Sequence, residues 1–103
     1  MNTISVEELK LRIDAGEKIN LVDVREPDEH EHFNIGGVLL PLGDLMSMQT
    51  DEIDHLKDEE IIFYCRSGNR SAHACQAAEM MGFSNPVNLT GGMLAWADKF
   101  GQQ

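Results

Sequence analysis

Basic residues are scarce in this chain. Eight Lys plus Arg stand against 18 Asp plus Glu, a formal net charge of −10. So acidic a protein is repelled by nucleic acid phosphates and by anionic membrane surfaces, which argues against both as partners. No apolar run is long enough to span a bilayer, and Met1 to Lys10 lacks the basic and apolar regions of a signal peptide, so a cytoplasmic location is expected. There is no linker, internal repeat or low-complexity tract, and residues 1–103 read as one domain with one core. Cysteine is also rare. The two present, Cys65 and Cys75, are separated by a turn and about five helical residues, roughly 7–8 Å along a helix axis, which disfavours a disulfide. Two free thiols are the expectation. Otherwise the composition, 42% hydrophobic and 25% charged, is that of a soluble globular chain.

The chain alternates short apolar runs with helical patterns. Ser5-Val-Glu-Glu8 has the form of a capping box, opening a helix through Leu9 and Ile13 that Gly16 stops. Ile19 to Val24 reads as a buried strand, and Pro27 followed by Asp28, Glu29 and Glu31 as a short helix with acid at its positive end. Val38-Leu-Leu-Pro41 is a brief strand, with short helices expected over Leu42–Met48 and Asp51–Leu56. The apolar stretch of Leu40, Leu42, Leu45, Met46 and Met48 suits either a core or an interface, and oligomeric state stays open. Ile61–Tyr64 is a buried strand, Asn69–Met81 an alanine-rich helix, Val87–Leu89 a last strand, and Met93 to about Lys99 an amphipathic helix. This order predicts an α/β sandwich around a mostly parallel sheet.

The distinctive stretch is Cys65-Arg66-Ser67-Gly68-Asn69-Arg70-Ser71. A strand that ends in cysteine and turns at once into a helix sets a thiol where backbone N–H groups and a helix N-terminus converge. That favours a thiolate and an anionic ligand. The loop also carries two of the chain's eight basic residues.

Three stretches together resemble the single-domain rhodanese family of sulfurtransferases: Asp23-Val-Arg25-Glu-Pro27, the Cys65–Ser71 loop, and Asn88-Leu-Thr-Gly-Gly92 followed by Ala95-Trp96. They cover nearly the whole chain in the right order. One segment departs: Asn34 and Gly36 stand where many rhodaneses have His and Pro, which affects a turn and not the nucleophile. The resemblance implies a three-layer α/β sandwich with a five-stranded parallel sheet and helices on both faces. It implies transfer of a sulfane sulfur from thiosulfate or another persulfide donor to a thiophilic acceptor, through a Cys65 persulfide.

On this reading Cys65 is the nucleophile, active as a thiolate. The N–H groups from Arg66 to Ser71 cradle an anion, with Gly68 permitting the curvature. Arg66 and Arg70 attract the donor, or Arg70 instead pairs with Asp23 or another carboxylate and steadies the loop. Ser67 and Asn69 either donate to the anion or close the turn, and Ser71 starts the helix. Asp23 and Arg25 form a supporting pair at a neighbouring strand end. Cys75 is a bystander on the flank of its helix, with resolution of the persulfide as the sharper alternative. His30, His32, His55 and His73 are scattered surface residues without metal spacing, and neither a metal nor an organic cofactor is implied. The Asp28–Glu31 run reads as a solvated face.

Spacing separates two chemistries. Protein tyrosine phosphatases use Cys-x5-Arg, which would put the arginine at position 71; here position 71 is Ser71 and the arginine is Arg70. By family analogy the shorter loop suits sulfur over phosphate, and a small phosphatase or arsenate reductase is the lesser alternative. The remaining alternative is a persulfide carrier serving one protein partner. The expected small partner is an anionic sulfur donor, and the expected acceptor a thiol or a thioredoxin-like protein.

Overall fold

The first local expectation forms as drawn. The Ser5 hydroxyl accepts from the Glu8 N–H at 3.0 Å, and the Ser5 N–H donates to Glu8 Oε1 at 3.3 Å. This box opens α1 (Val6–Asp14) in the computed structural model, which describes residues 1–102. The other elements are β1 (Asn2–Ile4), β2 (Leu21–Asp23), α2 (Pro27–His32), β3 (Val38–Leu39), α3 (Leu42–Met46), β4 (Glu60–Tyr64), α4 (Asn69–Met80), β5 (Asn85–Leu89) and α5 (Gly92–Phe100). The strands lie in the order β1-β5-β4-β2-β3, and every pair is parallel.

The differences from expectation have local causes. β1 was not foreseen, because Asn2 and Thr3 are exposed and the segment becomes a strand only by pairing with Val87–Leu89. The expected helix over Asp51–Leu56 is a single 3-10 turn, Asp54–Leu56; so short and acidic a segment lacks the turns needed to propagate an α-helix. β5 begins earlier than expected and includes Pro86. The proline is tolerated because the pairing with β1 starts only at Val87, leaving no ladder bond for its missing N–H on that side.

Two apolar layers cover the sheet. Ile61, Phe63 and Cys65 alternate with Ile62 and Tyr64 along β4, sending side chains to opposite faces. The first set packs with Val22, Leu45 and Ile53 against α3 and α4; the second packs with Leu9, Val87 and Leu89 against α1 and α5. Burying each large side chain contributes roughly 1.5–3 kcal/mol. Leu40 and Leu45 belong to the core, whereas Met46 and Met48 are exposed, so the apolar stretch there is split between the two readings. On α4, Ser71, Ala74, Cys75 and Ala78 form the buried face. This corrects the placing of Cys75 on the flank, since its side chain is wholly enclosed.

A parallel sheet gathers the C-terminal ends of its strands along one edge. Asp23, Cys65 and Asn88 lie at or just past three of those ends, and the turns into α2, α4 and α5 start there.

Candidate active site

β4 ends at Tyr64 and Cys65 follows it directly, so the thiol inherits the inward direction of Phe63 and is almost wholly buried. The chain then reverses into α4 through Gly68, whose φ of +103° is a left-handed conformation suited to glycine. The reversal brings the Gly68 N–H to 3.1 Å from Cys65 Sγ, and the Ser71 N–H to 3.4 Å. The Ser71 hydroxyl is also 3.4 Å from the sulfur. Burial alone would push the Cys65 thiol up. The hydrogen bonds from the Ser71 hydroxyl and from the Ser71, Gly68 and Ser67 N–H groups outweigh it, and the net shift is downward.

Ser71 is therefore more than the start of a helix. It is the third residue of α4, fully buried, and its hydroxyl donates to Asn88 Oδ1. Asn88, at the end of β5, donates in turn to the Gly68 carbonyl at 3.2 Å. The sequence offers Asn88 only as part of a motif, yet an amide between Val87 and Leu89 in a buried strand is the signal for a buried polar role.

From the other side the loop is held by α5. The Met93 N–H donates to the Cys65 carbonyl and the Leu94 N–H to the Arg66 carbonyl, each at 2.9 Å. Gly92 makes this approach possible, since a Cβ there would lie 2.3 Å from the Cys65 carbonyl oxygen.

Of the two loop arginines, Arg66 is exposed and makes no ion pair or side-chain hydrogen bond among the described residues. Arg70 takes the second of its two readings, pairing with a carboxylate other than Asp23. It forms two parallel bonds to Glu29 of α2, at 2.7 and 2.9 Å, and none to Asp23. These bonds hold the Glu29 carboxyl down at about 2. Within the acidic run Asp28 and Glu31 are exposed, whereas Glu29 is only partly so and is paired with Arg70. Ser67 and Asn69 are exposed, and their side chains make no hydrogen bond among the described residues; the turn is closed on the Cys65 sulfur, which accepts from the Gly68 N–H.

Asp23 and Arg25 form the expected pair. Asp23 is fully buried and accepts from Arg25 Nη2 at 2.8 Å and from the Arg25 N–H at 3.0 Å. Arg25 continues to the Phe33 carbonyl at 2.6 Å and lies over the Tyr64 ring, 5.7 Å from its centroid. His30 joins the group with Nδ1 2.8 Å from Asp23 Oδ2, so one of the four histidines is structural and not merely on the surface. The position of His30 on the first turns after Pro27, facing back to β2, was the available signal. No group of three or more metal-binding side chains occurs among the described residues, and both cysteines are free. A cleft of about 230 Å³ opens beside Arg66, between α2 and α5.

The model of the Rhodanese-like domain matches residues 5–99. The chain belongs to the rhodanese-like family. It is 40% identical over 94 residues to the putative sulfurtransferase YtwF of Bacillus subtilis, covering 90% of this chain and 87% of that one. It is 38% identical over 96 residues to the probable adenylyltransferase/sulfurtransferase MoeZ of Mycobacterium tuberculosis, covering 93% of this chain but only 24% of MoeZ. It is 29% identical over 109 residues to the human thiosulfate:glutathione sulfurtransferase, covering 94% of each. A rhodanese-like domain protein from Staphylococcus aureus superposes with a TM-score of 0.84 at 29% identity, over 100% of this chain and 97% of the other. The all-parallel five-stranded sheet with helices on both faces is thus the rhodanese-like fold. No helix of the described residues is long and apolar enough to cross a membrane.

Proposed function

We propose that this rhodanese-like chain is a sulfurtransferase, and that Cys65 carries the transferred sulfur as a persulfide. The observation that supports it best is the set of donors converging on one sulfur atom: two N–H groups and a hydroxyl within 3.4 Å of Cys65 Sγ, at the positive end of α4. Such donors stabilise negative charge on the thiolate and on the persulfide that replaces it.

In the first step the Cys65 thiolate attacks the outer sulfur of a donor such as thiosulfate. The new S–S bond forms as the old one breaks, sulfite leaves with the bonding pair, and Cys65 is left as a persulfide anion. A nucleophilic acceptor then attacks the terminal sulfur and restores the thiolate. Cyanide would leave as thiocyanate, and a thiol as its own persulfide. No proton donor is needed at either leaving group, which fits a loop with no carboxylate of its own, while Asp23 at the end of β2 and Glu29 of α2 are each held by an arginine. The name of the human relative supports thiosulfate as donor and a thiol as acceptor.

A second reading has its own support. The region matched in MoeZ is a minor part of that protein, and a further relative from Bacillus subtilis is named a putative sulfur carrier. On that reading the chain hands its persulfide to a protein partner and turns over slowly on free thiosulfate. Intact-protein mass spectrometry after exposure to thiosulfate tests both. The expected result is the gain of one sulfur atom, absent in Cys65→Ser. Thiocyanate formation on adding cyanide then supports turnover on small molecules, and loading without turnover supports the carrier. No gain of sulfur from any donor by reduced protein would sink the proposal.

A further inference from the structure

Asn88 reaches the Cys65 loop from a neighbouring strand. Its backbone is held on both sides, beside Phe63 of β4 and Thr3 of β1. Val87 and Leu89 pack into the layer under α1 and α5, so by strand alternation Asn88 faces α4 across the sheet. There one amide meets both ends of the turn. Nδ2 donates to the Gly68 carbonyl at 3.2 Å, and Oδ1 accepts from the Ser71 hydroxyl. That same hydroxyl lies 3.4 Å from Cys65 Sγ, and the Gly68 N–H lies 3.1 Å from it. Asn88 is only 8% exposed, so the Ser71 proton has two acceptors in a site nearly closed to water, the amide oxygen and the sulfur. An amide that a buried strand could replace by an apolar side chain is costly unless its bonds are made, and here every one is directed at the loop.

We propose that Asn88 is a positioning residue: it divides the Ser71 proton between its own oxygen and the Cys65 sulfur, and so balances loading of the persulfide against its discharge. The inference rests on the Cys65 persulfide proposed above. In loading, the Cys65 thiolate is the nucleophile, and a sulfur whose charge is strongly held attacks more slowly. In discharge the same sulfur is the leaving group. The acceptor bonds to the terminal sulfur, the S–S bond to Cys65 breaks, and its electron pair returns to Cys65. A strongly held charge speeds that step. One hydrogen bond therefore acts in opposite directions on the two halves of the cycle.

Burial pushes the Cys65 thiol up, and the Ser71 hydroxyl leads the hydrogen bonds that bring it down. The competing acceptor for that hydroxyl is thus placed to set the compromise. The other charged or titratable groups around the loop are Tyr64, Arg66 and Arg70, Cys75 on α4, the Asp23–Arg25 pair, and Glu29 and His30 on α2. α5 meets the loop through the backbone of Gly92, Met93 and Leu94. A change at Asn88 leaves all of these in place.

Three quantities test the inference: the pH profile of Cys65 alkylation by iodoacetamide, the single-turnover rate of loading by thiosulfate, and the rate at which cyanide discharges the loaded protein. Asn88→Leu removes the competing acceptor at nearly constant size. Its alkylation profile should move down by about one pH unit. At a pH above both profiles, loading should slow about threefold and discharge quicken about threefold. These changes should vanish when Asn88→Leu is made in Ser71→Ala. Were Asn88 only a clamp, its loss would loosen the N–H donors and move the profile up, with or without Ser71. A profile that stays or rises, or half-reactions that change in the same direction, overturns the inference. Asn88→Asp covers the case in which the leucine variant folds poorly. Its carboxylate should hold the Ser71 proton more firmly, raise the profile and slow discharge, and at least half of each change should disappear in Ser71→Ala. Changes that persist there in full come from the added charge alone and overturn the inference as well. Natural protein that gains no sulfur removes the proposed function. Natural protein that loads normally, while Asn88→Leu leaves the profile in place, removes this inference alone.

Discussion

The Ser71 hydroxyl donates to Asn88 Oδ1 and at the same time lies 3.4 Å from Cys65 Sγ. One proton thus has two acceptors. While Cys65 is a thiol, its S–H can donate to Ser71 and Ser71 to Asn88, and every group in the chain is satisfied. When the thiol ionises, Ser71 can turn its proton to the sulfur. Ser71→Ala removes that option and leaves the Asn88 oxygen buried without a partner. The Cys65 thiol should rise, so alkylation by iodoacetamide near neutral pH should slow several-fold and its pH profile move upward. Stability should fall by about 1–2 kcal/mol. Alkylation rates across pH, with urea unfolding of the same samples, check both.

Asp23 offers a harsher test. Its carboxylate is fully buried, and Arg25, only 5% exposed, depends on it for charge balance. Asp23→Asn keeps the size but strands the guanidinium, at a cost of roughly 3–5 kcal/mol. Arg25→Lys keeps a cation but loses the forked contact, and should cost less. The urea midpoints of the two variants should fall in that order.

What could be seen in the sequence follows how local each feature is. The capping box at Ser5, the Pro27 start of α2, β4 and the turn at Gly68 are set by neighbours within a few residues, and each was legible. β1 was not, because a segment with one buried residue becomes a strand only through β5, more than eighty residues away. The site divides in the same way. Cys65 and its loop carry a local pattern, whereas the Glu29–Arg70 pair spans 41 residues and the Ser71–Asn88 bond 17. Charge in an acidic run looks the same whether it faces water or an arginine from another element. Cys75 was misplaced because four alanines allow more than one packed face on α4, and contact with the sheet chose the one that includes it.

The Glu29 pair should be visible in acid. Hydrogen bonds from Arg70 lower the Glu29 carboxyl from 4.5 to about 2. A carboxyl depressed in the folded state adds stability that is fully present above its unfolded value and is lost as pH falls toward the folded one. The contribution of Glu29 should therefore fade between about 4.5 and 2. The side chain is partly exposed, so solvent screening keeps it to about 1 kcal/mol or less. Urea midpoints measured through that window should fall less steeply in Glu29→Gln.

Cys75 should be inert. It is fully buried among apolar side chains, and burial, with a smaller push from Glu79, raises its thiol to about 12. Native protein should consume one equivalent of a thiol reagent rapidly and the second only on unfolding. Cys75→Ala should keep sulfur transfer within about twofold while losing about 1 kcal/mol of packing. A large loss of turnover with loading on Cys65 intact would instead give Cys75 the resolving role.

The last prediction separates backbone strain from steric approach. Gly16 and Gly92 both have positive φ, +79° and +53°. A Cβ on Gly16 would meet nothing within 4 Å, whereas one on Gly92 would fall 2.3 Å from the Cys65 carbonyl oxygen and 2.7 Å from that of Arg66. Gly16→Ala should therefore cost only the left-handed penalty, about 1 kcal/mol, and leave transfer unchanged. Gly92→Ala must also push α5 from the loop and weaken the Met93 and Leu94 N–H bonds to Cys65 and Arg66. A cost of roughly 3 kcal/mol or more is expected, along with a large fall in Cys65 loading by thiosulfate. Equal urea midpoints for the two variants would show that α5 does not hold the loop in the way its hydrogen bonds indicate.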